Sequence, residues 1–286
     1  MQNKSNEKLS FAFFGTPDVA SLTLDILKGS GYLPSLIITS PDAKKGRGLQ
    51  LQASPVTLFA EKNNIKCLKP ENLDEEFIRE LKASNCDLFI VVAYGKIIPE
   101  KLIKMPKLGS INIHYSLLPK YRGASPVESA ILNGDKETGV SIQQMEYKMD
   151  SGAVIVQEKL EIFADEKAPD LRKRLIQAGG DLLVKSIPKI IRGEIIPTPQ
   201  NEKQATSCKK IKKEEGLIDL NESAALNYNK FRAYALWPRT YFFQNEKRVI
   251  ITDATLENNQ FIIKKVLPEG KKEITYEDFL KTSTSK

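Results

Sequence analysis

Apolar positions along the chain fall into short runs separated by amphipathic segments. Residues 9–14 form an apolar run closed by Gly15-Thr-Pro-Asp18, after which Val19, Leu22, Leu24, Ile26 and Leu27 recur at helical spacing. This predicts a strand, a turn and a helix. The spacing predicts further strands over 36–39, 65–68, 87–93 and 110–114, and helices over 55–62, 75–82 and 126–132. Residues 87–93 are apolar on both faces, as a central parallel strand requires. Strands alternating with helices predict an α/β fold class: a Rossmann-like domain with a mostly parallel sheet and right-handed crossovers.

The pattern changes after residue 138. Runs over 139–145 and 153–160 predict consecutive strands joined by a turn at Lys148-Met-Asp-Ser-Gly152, followed by a long helix over 168–191 bent near Pro188. A helical stretch within 218–235 and short β runs over 240–243, 249–252 and 260–267 predict a small C-terminal barrel or sheet. The expected organisation is a domain over 1–197, a basic linker over 198–213 and a C-terminal domain over 214–286.

Composition narrows the class. With 41% hydrophobic and 28% charged residues, the 286-residue chain can bury a core. No apolar run reaches the roughly 18 residues of a membrane span, and residues 1–10 are polar, without the apolar core of a signal peptide. A cytoplasmic protein is expected, with no membrane and no obligate protein partner, as a monomer. Cys67, Cys86 and Cys208 are odd in number and widely spaced, which argues against a disulfide framework and a zinc site.

Charge is unevenly placed. The chain carries 43 Lys+Arg against 36 Asp+Glu, net +7; residues 1–205 hold 28 and 25, residues 206–286 hold 15 and 11. Within 198–213 five lysines (Lys203, Lys209, Lys210, Lys212, Lys213) face one Glu202, and Lys44, Lys45 and Arg47 cluster beside Gly46 and Gly48. Either cluster reads as solvated surface or as contact with a polyanion.

The chain has one histidine, His114. In a strand, Asn112 and His114 point to one face, and at the carboxyl edge of a parallel sheet that face opens on the crevice where ligands bind. An amide N–H can stabilise a developing oxyanion while an imidazole accepts or returns a proton, which suits acyl-type chemistry. An isolated histidine also reads as structural. Asp150, in the following turn, reads either as support for the imidazole or as an ordinary turn aspartate. The turn after the first strand lacks the G-x-G-x-x-G fingerprint, and G-x-S-x-G is absent, which disfavours a dinucleotide site and a covalent hydrolase.

Asn112-Ile-His114, Ser116-Leu-Leu-Pro119, Tyr121-Arg-Gly-Ala124, Thr138-Gly139 and Met149-Asp-Ser-Gly152 together resemble the core of the folate-dependent formyltransferase family. Phe14-Gly-Thr-Pro-Asp18, Gly46-Arg-Gly48, Ser54-Pro-Val56, Val92-Ala-Tyr-Gly95, Lys213-Glu-Glu215, Trp237-Pro238, Pro268-Glu-Gly-Lys271 and Tyr276-Glu-Asp-Phe279 narrow the resemblance to its branch acting on methionyl-tRNA. The ordered matches run from about residue 11 to 280. The resemblance implies formyl transfer from 10-formyltetrahydrofolate, as co-substrate and without metal, to the α-amino group of methionyl initiator tRNA. It implies Asn112, His114 and Asp150 as the catalytic trio, Ser116, Leu117, Leu118 and Pro119 as the folate-binding segment, and a C-terminal β-barrel of OB type. Lys44, Lys45 and Arg47 with Lys209, Lys210, Lys212 and Lys213 are then expected to meet the tRNA. A formyltransferase acting on an amino sugar nucleotide or another small amine would share the trio without needing the basic clusters. One departure stands out: between Asp253 and Pro268 there is room for fewer strands than such a barrel has, so a trimmed barrel is expected.

Overall fold

The computed structural model describes residues 9–45 and 50–283. In chain order the elements are β1 (Phe11–Gly15), α1 (Asp18–Gly29), β2 (Leu36–Ile38), β3 (Ala43–Lys45), β4 (Gln50–Gln52), α2 (Pro55–Lys62), β5 (Cys67–Leu68), α3 (Glu75–Ala83), β6 (Leu88–Val92) and α4 (Glu100–Ile103). Then follow β7 (Ser110–His114), β8 (Arg122–Gly123), α5 (Pro126–Leu132), β9 (Glu137–Gln144), β10 (Val154–Glu161), α6 (Ala168–Ile191), β11 (Ser207–Cys208), α7 (Ala224–Ala233), β12 (Tyr241–Gln244), β13 (Lys247–Glu257), β14 (Gln260–Pro268), β15 (Ile274–Thr275) and α8 (Tyr276–Ser283). No described helix is long and apolar enough to cross a membrane.

Seven strands form the main sheet in the order β10-β9-β7-β6-β1-β2-β5. β1 pairs in parallel with β2 and β6, β2 with β5, and β6 with β7, while β7 pairs antiparallel with β9. From β1 the chain winds outward through β2 to β5, then returns to β6 and β7 on the other side. The reversal lies between β1 and β6, where doubly wound sheets leave a crevice at the strands' carboxyl ends. Every residue of β1 and β6 is buried, as the two-sided apolar pattern requires. Gly15 is fixed by this packing: a Cβ there would lie 2.5 Å from Ala20 Cβ and 2.9 Å from the Val92 carbonyl. Flanking helices start on conventional caps, with Ser54 accepting from Thr57 N at 3.0 Å ahead of Pro55 and Asp74 accepting from Phe77 N at 3.0 Å.

The chain divides into two compact units, one comprising 1–122, 139–158 and 175–205, the other 123–138, 159–174 and 206–286. Both are discontinuous, whereas the sequence pattern predicts contiguous boundaries at 197 and 213. The cause is visible in each. In the first unit Val154 and Thr198 exchange two backbone hydrogen bonds of 2.8 Å, so the start of the expected linker is tied to the sheet's edge. In the second, Tyr228 donates to Asp165 at 2.8 Å, and buried Arg232 donates to the Phe163 and Glu166 carbonyls at 3.3 and 3.2 Å.

The second unit's core gathers Tyr228 and Phe231 of α7 with Phe242, Val249, Ile251, Ile263, Val266 and Phe279. Its strands form a linear antiparallel sheet, β12-β13-β14-β15. β13 runs well beyond the expected 249–252. A register shift at Asp253 breaks the alternation that a sequence reading follows, and pairing resumes at Ala254. One long hairpin, turned at Asn258 and Asn259 with φ of 50° and 59°, therefore fills the interval that raised the question of trimming. α6 matches its expected span and continues past Pro188 to Ile191.

Candidate active site

β7 carries Asn112 and His114 to the carboxyl edge of the sheet on one face, two residues apart. β9 runs antiparallel beside it, with Gln143 opposite Asn112 and Ser141 opposite His114, so four polar side chains share that face. The turn after β9 returns Asp150 to the same place: its Oδ1 accepts from Gln143 Nε2 at 2.9 Å and Asn112 Nδ2 at 3.4 Å. Its Oδ2 lies 3.6 Å from His114 Nδ1, within ion-pair range but longer than a hydrogen bond. The expected trio is thus assembled, with the His114 and Asp150 side chains 6% and 12% exposed.

The other imidazole nitrogen identifies the ring's tautomer. His114 Nε2 lies 2.8 Å from the Tyr121 carbonyl, which can only accept, so Nε2 carries the hydrogen. Nδ1, facing Asp150, is the nitrogen left to gain or release a proton. Asn112 has a second amide hydrogen beyond the one directed at Asp150. Three non-glycine residues around this edge sit in the left-handed region: Ala93 after β6, Tyr121 and Asp150, at φ of 47°, 58° and 51°.

The segment Ser116 to Pro119 is built into this wall. Ser116 is fully buried, its hydroxyl donating to the Lys120 carbonyl at 2.5 Å. Ser141 Oγ donates to the Ser116 carbonyl at 2.6 Å and accepts from Leu118 N at 3.0 Å, while Gln157 Nε2 holds the Leu118 carbonyl at 2.9 Å. Leu118 is buried as well; Leu117 and Pro119 are half-buried and present the segment's accessible surface. Tyr94, after β6, is buried in the core and packed edge-on to Phe14 at 5.5 Å, and burial pushes its hydroxyl up to about 12.

The basic residues belong to other segments of the chain. Lys44 is exposed on β3, which pairs with β4, and Lys45 ends that strand; Arg47 lies outside the described residues. Lys209, Lys210, Lys212 and Lys213 are all exposed and belong to the second unit, whereas the trio belongs to the first. Glu214 stands 4.0 Å from Lys212, and Glu215 accepts from the Lys212 backbone at 2.7 Å, so two acids adjoin that cluster. Among the described residues no group of three or more His, Cys, Asp or Glu side chains is placed to hold a metal ion.

Four residues around the trio escape a sequence reading as site residues: Gln143, Gln200, Arg122 and Glu202. Gln200 Nε2 donates to the backbone carbonyls of Asp150 and Gly152 at 2.9 and 2.7 Å, and its Oε1 accepts from Arg122 Nε at 2.9 Å. Arg122 is 8% exposed and grips Glu202 with both terminal nitrogens at 2.6 and 3.1 Å. Hydrogen bonds from Arg122 and Lys148 hold the Glu202 carboxyl well below its usual range, at about 2. Alternation within β9 puts Gln143 on one face with Ser141, but only the pairing with β7 sets that face beside Asn112, and nothing local marks Gln200, fifty residues downstream of Asp150.

The chain is similar along most of its length to known proteins. Residues 8–187 match the formyl transferase family, and residues 210–262 match the formyl transferase C-terminal domain. A methionyl-tRNA formyltransferase of Thermodesulfovibrio yellowstonii is 37% identical over 290 residues, 94% of each chain. One from Sulfurihydrogenibium sp. is 41% identical over 246 residues, 85% of this chain and 79% of that one. Among solved structures, a sugar N-formyltransferase from Helicobacter canadensis, in complex with folinic acid and dTDP-3-aminofucose, aligns with a TM-score of 0.68 at 22% identity, covering 93% of this chain and 98% of that one. A methionyl-tRNA formyltransferase from Clostridium thermocellum aligns with a TM-score of 0.62 at 16% identity, covering 91% and 98%. These two structural likenesses speak for the fold alone.

Proposed function

Because this chain belongs to the formyl transferase family, among the methionyl-tRNA formyltransferases, we propose that it moves a formyl group from 10-formyltetrahydrofolate to the α-amino group of methionyl initiator tRNA. The observation carrying this substrate is the 37% identity sustained over 94% of both chains with a methionyl-tRNA formyltransferase. The chemistry rests on the trio. The neutral α-amine attacks the formyl carbon, a bond forms from amine nitrogen to carbon, and the bond from carbon to the folate nitrogen breaks. The amine loses one proton and the departing nitrogen gains one. The co-substrate supplies the formyl group as an activated amide, and the remaining work falls to the protein.

Asn112 offers its second amide N–H to the oxygen on which negative charge develops. His114 exchanges the proton at Nδ1, the nitrogen left free by the Tyr121 carbonyl, and Asp150 stabilises the imidazolium that results. The 3.6 Å gap between His114 and Asp150 is expected to shorten once substrates exclude water, as catalytic hydrogen bonds commonly do. Leu117 and Pro119, with the backbone of the same segment, give the folate an apolar edge, while the buried Ser116 and Leu118 hold that edge in shape. Lys44, Lys45 and Arg47 and the lysines at 209, 210, 212 and 213 serve the tRNA backbone.

Incubation of the purified protein with 10-formyltetrahydrofolate and either methionyl initiator tRNA or a dTDP-linked amino sugar separates the two amine classes. Formylmethionyl-tRNA is the expected product. Formylation of the sugar with none of the tRNA would replace this reading by that of a sugar N-formyltransferase.

A further inference from the structure

We propose that Gln200, seated by Arg122, is a positioning residue that locks the loop carrying Asp150, with Gln143 aiming the carboxylate it presents. The inference rests on the role given to Asp150 above.

The amide orientations are forced by their partners. The carbonyls of Asp150 and Gly152 only accept, so Gln200 must turn its Nε2 toward them; Arg122 Nε only donates, so it meets Gln200 Oε1. Likewise the Asp150 carboxylate accepts, so Gln143 presents Nε2 to it and leaves Oε1 toward Gln200 Nε2 at 3.3 Å. No amide here can flip without placing oxygen against oxygen or nitrogen against a cation. The chain Glu202–Arg122–Gln200 thereby reaches the backbone on both sides of Ser151, while Gln143, 2% exposed, reaches the side chain.

This fixing has something to oppose. Asp150 sits at φ 51°, in the left-handed region, where any residue but glycine carries a conformational cost that its neighbours must offset. Gln200 bonds the carbonyl of that very residue and of Gly152, which packs so closely on β9 that a Cβ there would lie 1.9 Å from the Gln144 carbonyl; the far end of the loop is thus seated on β9, while the Asp150 end is held by Gln200. Release of Gln200 would let Asp150 relax toward ordinary φ and carry Oδ2 away from His114 Nδ1. Gln200 touches neither the imidazole nor the amide of Asn112 by any bond described, so its influence passes through Asp150.

The single histidine makes the idea measurable without substrate, because the protein has one imidazole to observe by NMR. Gln200→Met keeps length and volume but removes both donors; Gln200→Glu keeps an acceptor for Arg122 and still cannot donate to the two carbonyls. Both variants should shift the His114 imidazole signals at fixed pH and lower kcat by about 10- to 100-fold in protein that stays folded at the assay temperature, with KM for tRNA little changed. Gln143→Met should shift the same signals in a folded protein. If both Gln200 variants keep the wild-type imidazole signals and the wild-type kcat, the proposal is overturned. If instead wild-type protein fails to formylate methionyl-tRNA while the imidazole signals still move in the variants, the positioning stands and the substrate assignment falls.

Discussion

His114 is the only imidazole in the chain, and it is 6% exposed with both nitrogens directed at protein groups. Removing it takes away the proposed proton exchange without touching an exposed surface that tRNA could use. We expect His114→Ala to lower the single-turnover rate by about 10²–10⁴-fold, the usual range for general acid–base help, with the dissociation constant for tRNA unchanged. A normal rate would remove the imidazole from the reaction. Glu202 behaves differently with pH. Its carboxyl is held at about 2 against an ordinary 4.5, so its ionised form favours the folded protein. That contribution is complete above about pH 4.5 and is lost as pH falls toward 2. The thermal midpoint of wild-type protein should therefore exceed that of Glu202→Gln near neutrality, and the two should converge below about pH 2; a constant difference down to that pH would mean that the ion pair with Arg122 does not contribute.

Elements show why the same substitution can act with opposite signs. Gly29 ends α1 with nothing within 4 Å of an added Cβ, whereas at Gly139 in β9 that atom would lie 2.2 Å from the Glu158 carbonyl and 2.6 Å from Leu117 Cδ2. Gly29→Ala should stabilise by about 0.4–1 kcal/mol through the unfolded chain. Gly139→Ala should destabilise by about 1–3 kcal/mol as β9, β10 and the Leu117 segment are forced apart; urea unfolding of both variants measures the contrast, and equal midpoints would refute it. Local pattern is a good guide at this scale where the period is clean. β1, β6 and α6 are legible because burial on both faces or strict helical spacing leaves one reading. β13 reads short in the sequence because its register shift at Asp253 interrupts alternation, a feature set by pairing with β14 and invisible in β13 alone. The site divides the same way. Asn112 and His114 follow from spacing within β7, but the roles of Gln143 and Gln200 depend on strand register and on a segment that returns from far along the chain.

On the scale of the whole molecule, net +7 in the sequence resolves into local sources. Residues 198–205, with Lys203 opposed by Glu202, belong to the first unit through the Thr198 bridge and the Arg122 pair, so they are not a free linker. The exposed excess begins at Lys209, and four lysines against Glu214 and Glu215 leave a local charge of +2 over residues 209–215. A cluster of this size cannot hold a large RNA by itself, but each lysine that meets a phosphate releases condensed counterions and makes binding dependent on salt. Replacing Lys209, Lys210, Lys212 and Lys213 by Gln should weaken tRNA binding and flatten the plot of log affinity against log salt. Every phosphate that a lysine no longer neutralises should make that slope shallower by about 0.7–0.9. The same replacements leave the trio intact, so formylation at saturating tRNA should keep its rate while KM rises. An unchanged slope would make these lysines ordinary solvated surface and shift the burden of RNA recognition to other basic residues, Lys44 among them.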